Sequence, residues 1–201
     1  MNKNRRIAFL LAVLFCLSAV TFVAVAKYIK EIPFTGNVTF KADLVENFTL
    51  TESQAVYTEN GTYSLVPNTS VAGNTYFLVP GVSIPKDPKI ILEGKSAVPA
   101  YLYVEVIDKL PAKAGYTVAS NWTYLGITGP KGGKVYVYNT VLDNTTDLSA
   151  PIYILKDNLI TVDKELPRGS SGTLKFYAYM AQVGSGQNPT TAFTANILSI
   201  S

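Results

Sequence analysis

The chain has 201 residues, with 17 basic and 14 acidic side chains, 13 Tyr, one Trp, one Cys and no His. Without histidine, Ser-His-Asp and Cys-His catalysis, HExxH zinc sites and most transition-metal chemistry are excluded. The single cysteine, Cys16, lies in an apolar leader, so disulfides, thiol nucleophiles and cysteine metal sites are excluded as well.

That leader comes first in chain order. Lys3, Arg5 and Arg6 make a positive start, Ile7 to Ala26 is uncharged and almost wholly apolar, and it closes on Ala24-Val25-Ala26. This small-x-small ending predicts a signal peptide over residues 1–26, cut before Lys27 by a signal peptidase, and hence a secreted chain. The alternative is a retained anchor, since an apolar run of this length spans a bilayer. Against it, no stop-transfer cluster of Lys and Arg follows. Three of the 17 basic residues leave with the leader, so the mature chain is formally neutral and carries no nucleic-acid footprint. Near-zero net charge also removes the long-range repulsion that keeps copies apart.

The mature region is rich in Thr, Val, Tyr, Ile and Phe, which is strand composition. Residues 27–36 form an extended segment. In Lys27 to Phe34 (KYIKEIPF), Tyr28, Ile32 and Phe34 share a face interrupted by Lys30, with Ile29 also apolar and Pro33 breaking the run. Asn37 to Leu44 alternates Val38, Phe40, Ala42 and Leu44. Leu44 to Ala55 is a helix candidate without a convincing apolar stripe. Thr75 to Val79 is a short strand candidate. Leu78 to Pro88 (LVPGVSIPKDP) holds three prolines, which predicts a rigid extended connection with Lys86 and Asp87 in solvent. Strands are expected at Lys89 to Leu92, Ala100 to Ile107 (AYLYVEVI), Tyr116 to Thr123, Lys134 to Tyr138 (KVYVY), Pro151 to Ile154, Leu174 to Val183 (LKFYAYMAQV) and Thr191 to Ile200. A short helical turn is expected around Lys156 to Lys164. Asn60-Gly61, Pro80-Gly81, GPKGG at 129–133 and RGSSG at 168–172 punctuate these runs.

The pattern predicts an all-β fold: a jelly-roll-like two-sheet β-sandwich over residues 37–201, with at most short helices and a signal helix before it. An immunoglobulin-like sandwich competes, and the sequence separates the two poorly.

Chemistry-bearing residues are sparse. Asp143, Asn144 and Asp147 lie in one loop, with Asp157, Asp163 and Glu165 further on, but the fixed ligand spacing of a calcium loop is missing, so solvated loop charge is the reading. Asp163 and Glu165 form a carboxylate pair of the glycosidase type, with nothing to place them in a cleft. Six Asn-x-Ser/Thr sequons occur, at Asn37, Asn47, Asn60, Asn68, Asn121 and Asn144. Trp122 and Tyr124 suit either a sugar platform or the core. No cofactor is expected.

The segment after the leader carries the clearest functional reading. It is either an ordinary first strand or a strand that leaves its own domain and completes a neighbour, satisfying the unpaired N–H and C=O groups of an open edge. A head-to-tail contact of that kind builds filaments.

Four stretches (VAVAKYIKEIPFTGNVTF, NTYFLVPGVSIPKDPKIIL, AYLYVEVIDKL and GTLKFYAYMAQV) resemble the TasA/camelysin family of secreted biofilm matrix-fibre proteins. The resemblance implies a jelly-roll subunit, export through a dedicated signal peptidase and homopolymerisation by N-terminal donor-strand exchange. By position, Lys27 to Phe34 would be the donor. It also implies a place in an extracellular matrix beside other matrix proteins or polysaccharide. Camelysin-type members have been labelled proteases, yet this chain shows no recognisable catalytic set. The competing expectations are a monomeric surface adhesin or glycan-binding sandwich, and behind it a secreted protease.

Overall fold

A computed structural model describes residues 29–32 and 47–200. The predicted signal peptide with Ala24, Ala26 and Lys27, the donor candidates Tyr28 and Phe34, and the alternating run Asn37 to Leu44 lie outside the described residues. The described strands are, in chain order, β1 (Ile29–Ile32), β2 (Asn47–Thr51), β3 (Ala55–Tyr57), β4 (Tyr63–Leu65), β5 (Ile84–Pro85), β6 (Lys89–Glu93), β7 (Ala100–Lys109), β8 (Ala114–Val118), β9 (Trp122–Thr128), β10 (Lys134–Tyr138), β11 (Ile152–Tyr153), β12 (Leu155–Val162) and β13 (Thr173–Gln182). One helix, α1 (Pro189–Asn196), and a 3-10 turn, Leu198–Ile200, follow.

The two longest alternating runs make the spine. β7 and β13 pair antiparallel over ten residues, from Ala100 against Gln182 to Lys109 against Thr173. They sit inside a five-stranded sheet of order β1-β13-β7-β10-β9. The facing layer consists of two three-stranded sheets, β11-β6-β2 and β5-β12-β8, and a β3-β4 hairpin stands apart. Period-two alternation drives the packing, because it commits every second side chain to one face. Leu102, Val104 and Val106 of β7 and Phe176, Ala178 and Met180 of β13 point inward against Phe48, Leu50, Ile90, Leu92, Ile152 and Leu155 of the facing layer. All of these are buried. The all-β sandwich expected from the pattern is therefore the fold.

The other face of the five-stranded sheet is covered as well, and here the expectation fails. Thr191 to Ile200 is not a strand. Asn188 caps a helix: its Oδ1 accepts from the Thr191 amide at 2.9 Å, Thr191 Oγ1 accepts from the Asn188 amide at 3.0 Å, and Pro189 occupies the first turn, where its missing N–H costs nothing. The helix lays Phe193 and Ile197 over Tyr103, Val135, Val137, Tyr179 and Ala181. Phe193 packs edge-on against Tyr103 at 5.0 Å and Tyr179 at 5.8 Å between centroids.

Other expectations also give way. Leu44 to Ala55 is strand and not helix where described, because β2 pairs with β6 through Phe48–Leu92 and Leu50–Ile90. The turn expected at Lys156 to Lys164 is β12, whose Asp157 and Asn158 take left-handed φ of 54° and 52°. That kink shifts the β12–β8 register between Leu155 and Ile160, which explains the turn-like sequence. Thr75 to Val79 forms no strand, and Tyr116 to Thr123 divides into the end of β8 and the start of β9.

Candidate functional site

Two places combine unusual geometry with functional meaning: the β13 margin of the large sheet and a buried charged cluster in the facing layer.

At the margin, β1 adds to β13 antiparallel, with Ile29 opposite Ala181, Lys30 opposite Met180, Glu31 opposite Tyr179 and Ile32 opposite Ala178. Of the donor candidates, Ile29 and Ile32 therefore align with the two alanines of the strand. β1 covers four of the ten residues of β13, and Ala178, Tyr179, Met180 and Ala181 are all fully buried there. Behind them lies Glu105 of β7, also fully buried. Its carboxylate accepts from Tyr179 Oη at 2.7 Å, the Gly133 amide at 2.7 Å and the Lys131 amide at 3.0 Å. A buried carboxylate is tolerated only when so satisfied. Gly133 has to be glycine, because a Cβ there would meet Val106 O at 2.6 Å and Glu105 Cγ at 2.8 Å.

The second place overturns the expectation that Lys86 and Asp87 are solvated. Both are 5 % exposed and Glu52 is fully buried. Lys86 Nζ donates to Glu52 Oε2 at 2.6 Å. Glu52 Oε1 accepts from the Asn74 side-chain amide at 2.9 Å and from the Asn74 backbone amide at 2.5 Å. Asn74 Nδ2 also donates to Ser53 O at 2.8 Å, and its Oδ1 accepts from the Ala55 amide at 2.7 Å. Beside this lies a second pair. Asp87 accepts from Ser53 Oγ at 2.7 Å, the Ser53 amide at 2.8 Å and Lys89 Nζ at 2.8 Å. Burial pushes the Asp87 carboxyl up, but the bonds from Lys89 and Ser53 outweigh it and hold it below the ordinary value. Tyr76 lies against this cluster, with Lys86 Nζ 5.5 Å from its ring centroid. Its phenol is pushed well above the usual range, first by burial, then by the negative charges of Glu52 and Asp87, with Asn74 opposing. The Tyr76 hydroxyl is buried and makes no well-formed hydrogen bond.

Lys89 Nζ also donates to Ser53 Oγ at 2.8 Å, which has the look of a Ser-Lys nucleophile. The polarity runs the wrong way for a nucleophile: Lys89 Nζ donates to the serine oxygen and also to Asp87 Oδ2 at 2.8 Å, where a general base would accept the hydroxyl proton.

The remaining sequence candidates are not brought together. Asp143 Oδ1 accepts from the amides and hydroxyls of Thr145 and Thr146, closing its own loop and lowering its carboxyl below the ordinary range. Asp147 accepts from the Ser149 amide, which lowers it too. No group of three or more acidic side chains placed to hold a metal occurs among the described residues. Lys113 bridges Glu165 at 2.7 Å and Asp163 at 3.9 Å on an exposed surface. Trp122 is buried, its indole N–H donating to Tyr153 O at 2.9 Å, whereas Tyr124 is half exposed, so the two share no platform.

No known family, curated protein or solved structure matches the chain. The likeness to the TasA/camelysin group therefore rests on the four stretches quoted above, and the functional argument rests on the geometry of the two sites.

Proposed function

We propose that this chain is a secreted structural subunit that polymerises into extracellular matrix fibres, β1 of one copy pairing with β13 of the next. The observation that carries this reading is the β13 margin: a ten-residue strand, buried from Ala178 to Ala181, whose outer edge is paired over just those four residues by a strand from the start of the chain. In sequence, β1 is separated from β2 by the 14 residues 33–46. A short edge strand exchanges between copies at little cost, since the same backbone bonds form either way. Exchange also lets each copy bury the edge that would otherwise template aggregation.

Deleting residues 27–34 tests it. The expected result is folded, soluble protein that no longer elongates by negative-stain microscopy and that binds the free 27–34 peptide. Filaments formed by the deleted chain would refute the donor role.

The β3–β4 hairpin favours a second reading, a surface adhesin. Tyr57, edge-to-face with Tyr63 at 5.0 Å between centroids, is 57 % exposed, and Phe77, whose amide donates to Tyr63 Oη at 2.7 Å, is 76 % exposed. Exposed aromatic faces of this kind stack on sugars. Saturable polysaccharide binding by a monomer, abolished by Phe77→Ala, would favour it over the fibre.

A further inference from the structure

We propose that Lys86 and Asn74 become joined by an intramolecular isopeptide bond, formed without any other enzyme and promoted by Glu52. The inference goes beyond the assembly reading and holds whether or not copies associate.

Glu52 bridges the two partners. One carboxylate oxygen holds the Lys86 amine at 2.6 Å, and the other holds the Asn74 amide nitrogen at 2.9 Å. Glu52 is fully buried and Lys86 nearly so. In such surroundings an ammonium facing a carboxylate is costly to keep charged, and passing one proton from Lys86 to Glu52 turns the pair neutral. That proton transfer is what makes the amine a nucleophile. The Ala55 amide already donates to Asn74 Oδ1 at 2.7 Å, so it polarises the carbonyl and stabilises the oxyanion that attack would create. Ser53 O and Glu52 fix the other side of the amide, the side that must leave. The Tyr76 hydroxyl, buried beside Asn74 without a well-formed partner, is available to the new polar groups of the intermediate.

The atoms balance. Lys86 Nζ bonds to Asn74 Cγ, the Cγ–Nδ2 bond breaks, and Glu52 carries protons from Nζ to Nδ2. Ammonia departs and takes the last proton as ammonium, leaving Glu52 ionised and hydrogen-bonded to the new amide N–H. No oxidant or cofactor is consumed. Proximity does most of the chemistry, since three side chains are held together by folding alone. Asn74 is only half buried, so the ammonia has a way out. The product ties the segment after the Glu52–Val71 bridge to the residues just beyond β5, and gives a covalent staple to a mature chain without cysteine.

Intact-mass measurement of the natively folded protein tests this directly. The expected mass is below that of the sequence by one ammonia, about 17 Da. Chymotryptic cleavage between Asn74 and Lys86, at Tyr76, Phe77 or Leu78, should leave the two fragments joined. Glu52→Gln and Lys86→Arg should restore the full mass, while Lys89→Arg keeps the loss. Cyclisation at Asn60-Gly61 also sheds ammonia, and tandem fragmentation distinguishes the two. Full sequence mass in the folded wild type, or a loss that maps to Asn60, would overturn the proposal.

Discussion

β9 forms one margin of the five-stranded sheet, and β13 with β1 forms the other. At the β9 margin the register against β10 slips between Lys134 and Tyr136, and Gly126 takes a φ of 73° with open space around it. Tyr124 is 49 % exposed there. Such a bulged, polar, wetted edge resists further pairing. At the β13 margin the register against β7 runs without a break over ten residues, and the outer edge is paired by a four-residue strand opposite four consecutive buried residues. In the proposed assembly, the β13 margin is the one that another copy completes. One edge is protected by its own irregularity and the other by a separate piece of chain.

The largest expected effect lies behind the β13 margin. Phe193 anchors α1 on Tyr103 and Tyr179, and Phe193→Ala should cost about 3–5 kcal/mol in denaturant unfolding, through lost burial and the cavity left behind. Assembly should weaken with it, because the acceptor strand loses its backing. Next comes Glu105→Gln, which sets an amide donor against the three donors of Tyr179, Gly133 and Lys131. A loss of about 1–3 kcal/mol is expected, and the tyrosine environment should change in near-ultraviolet dichroism. Acid should separate the two layers of the sandwich. The Asp87 carboxyl is depressed in the fold, so its contribution is complete above the unfolded Asp value of about 3.9 and fades as pH falls through the lower folded value. Hydrogen exchange should therefore rise at Ser53 below pH about 4 while β7 and β13 stay protected. Smallest of all, Tyr124→Ser on the bulged margin should shift stability by less than about 0.5 kcal/mol and leave elongation unchanged. A loss of elongation there would show that the wrong margin has been chosen.

The spine of the fold was legible because β7 and β13 alternate without interruption, and period two leaves few alternatives. The C-terminal helix was not, since Phe193, Ala195 and Ile197 alternate as a strand would. The better signal was Asn188-Pro189 with Thr191, a cap written in polar residues just before the run. Glu105 falls on the face of β7 opposite Leu102, Val104 and Val106, and nothing local announces that α1 and the 129–133 turn will cover that face. The charged cluster was hidden for a related reason. Lys86 and Asp87 sit in a proline-rich connection, and only folding brings Glu52 and Ser53, 34 residues earlier, against them. Local sequence reports alternation well and long-range charge pairing hardly at all.

The central claim is that β13 takes its edge strand from another copy, and cross-strand disulfide trapping tests it most directly. Ile29 and Ala181 are opposed in the register, a spacing that suits a disulfide. Chains carrying Ile29→Cys alone should be mixed under assembly conditions with chains carrying Ala181→Cys alone, then oxidised. The account predicts a covalent dimer that links position 29 of one chain to position 181 of the other. If the mixture stays monomeric while the double variant closes only within single chains, β1 belongs to its own sheet and the fibre account fails.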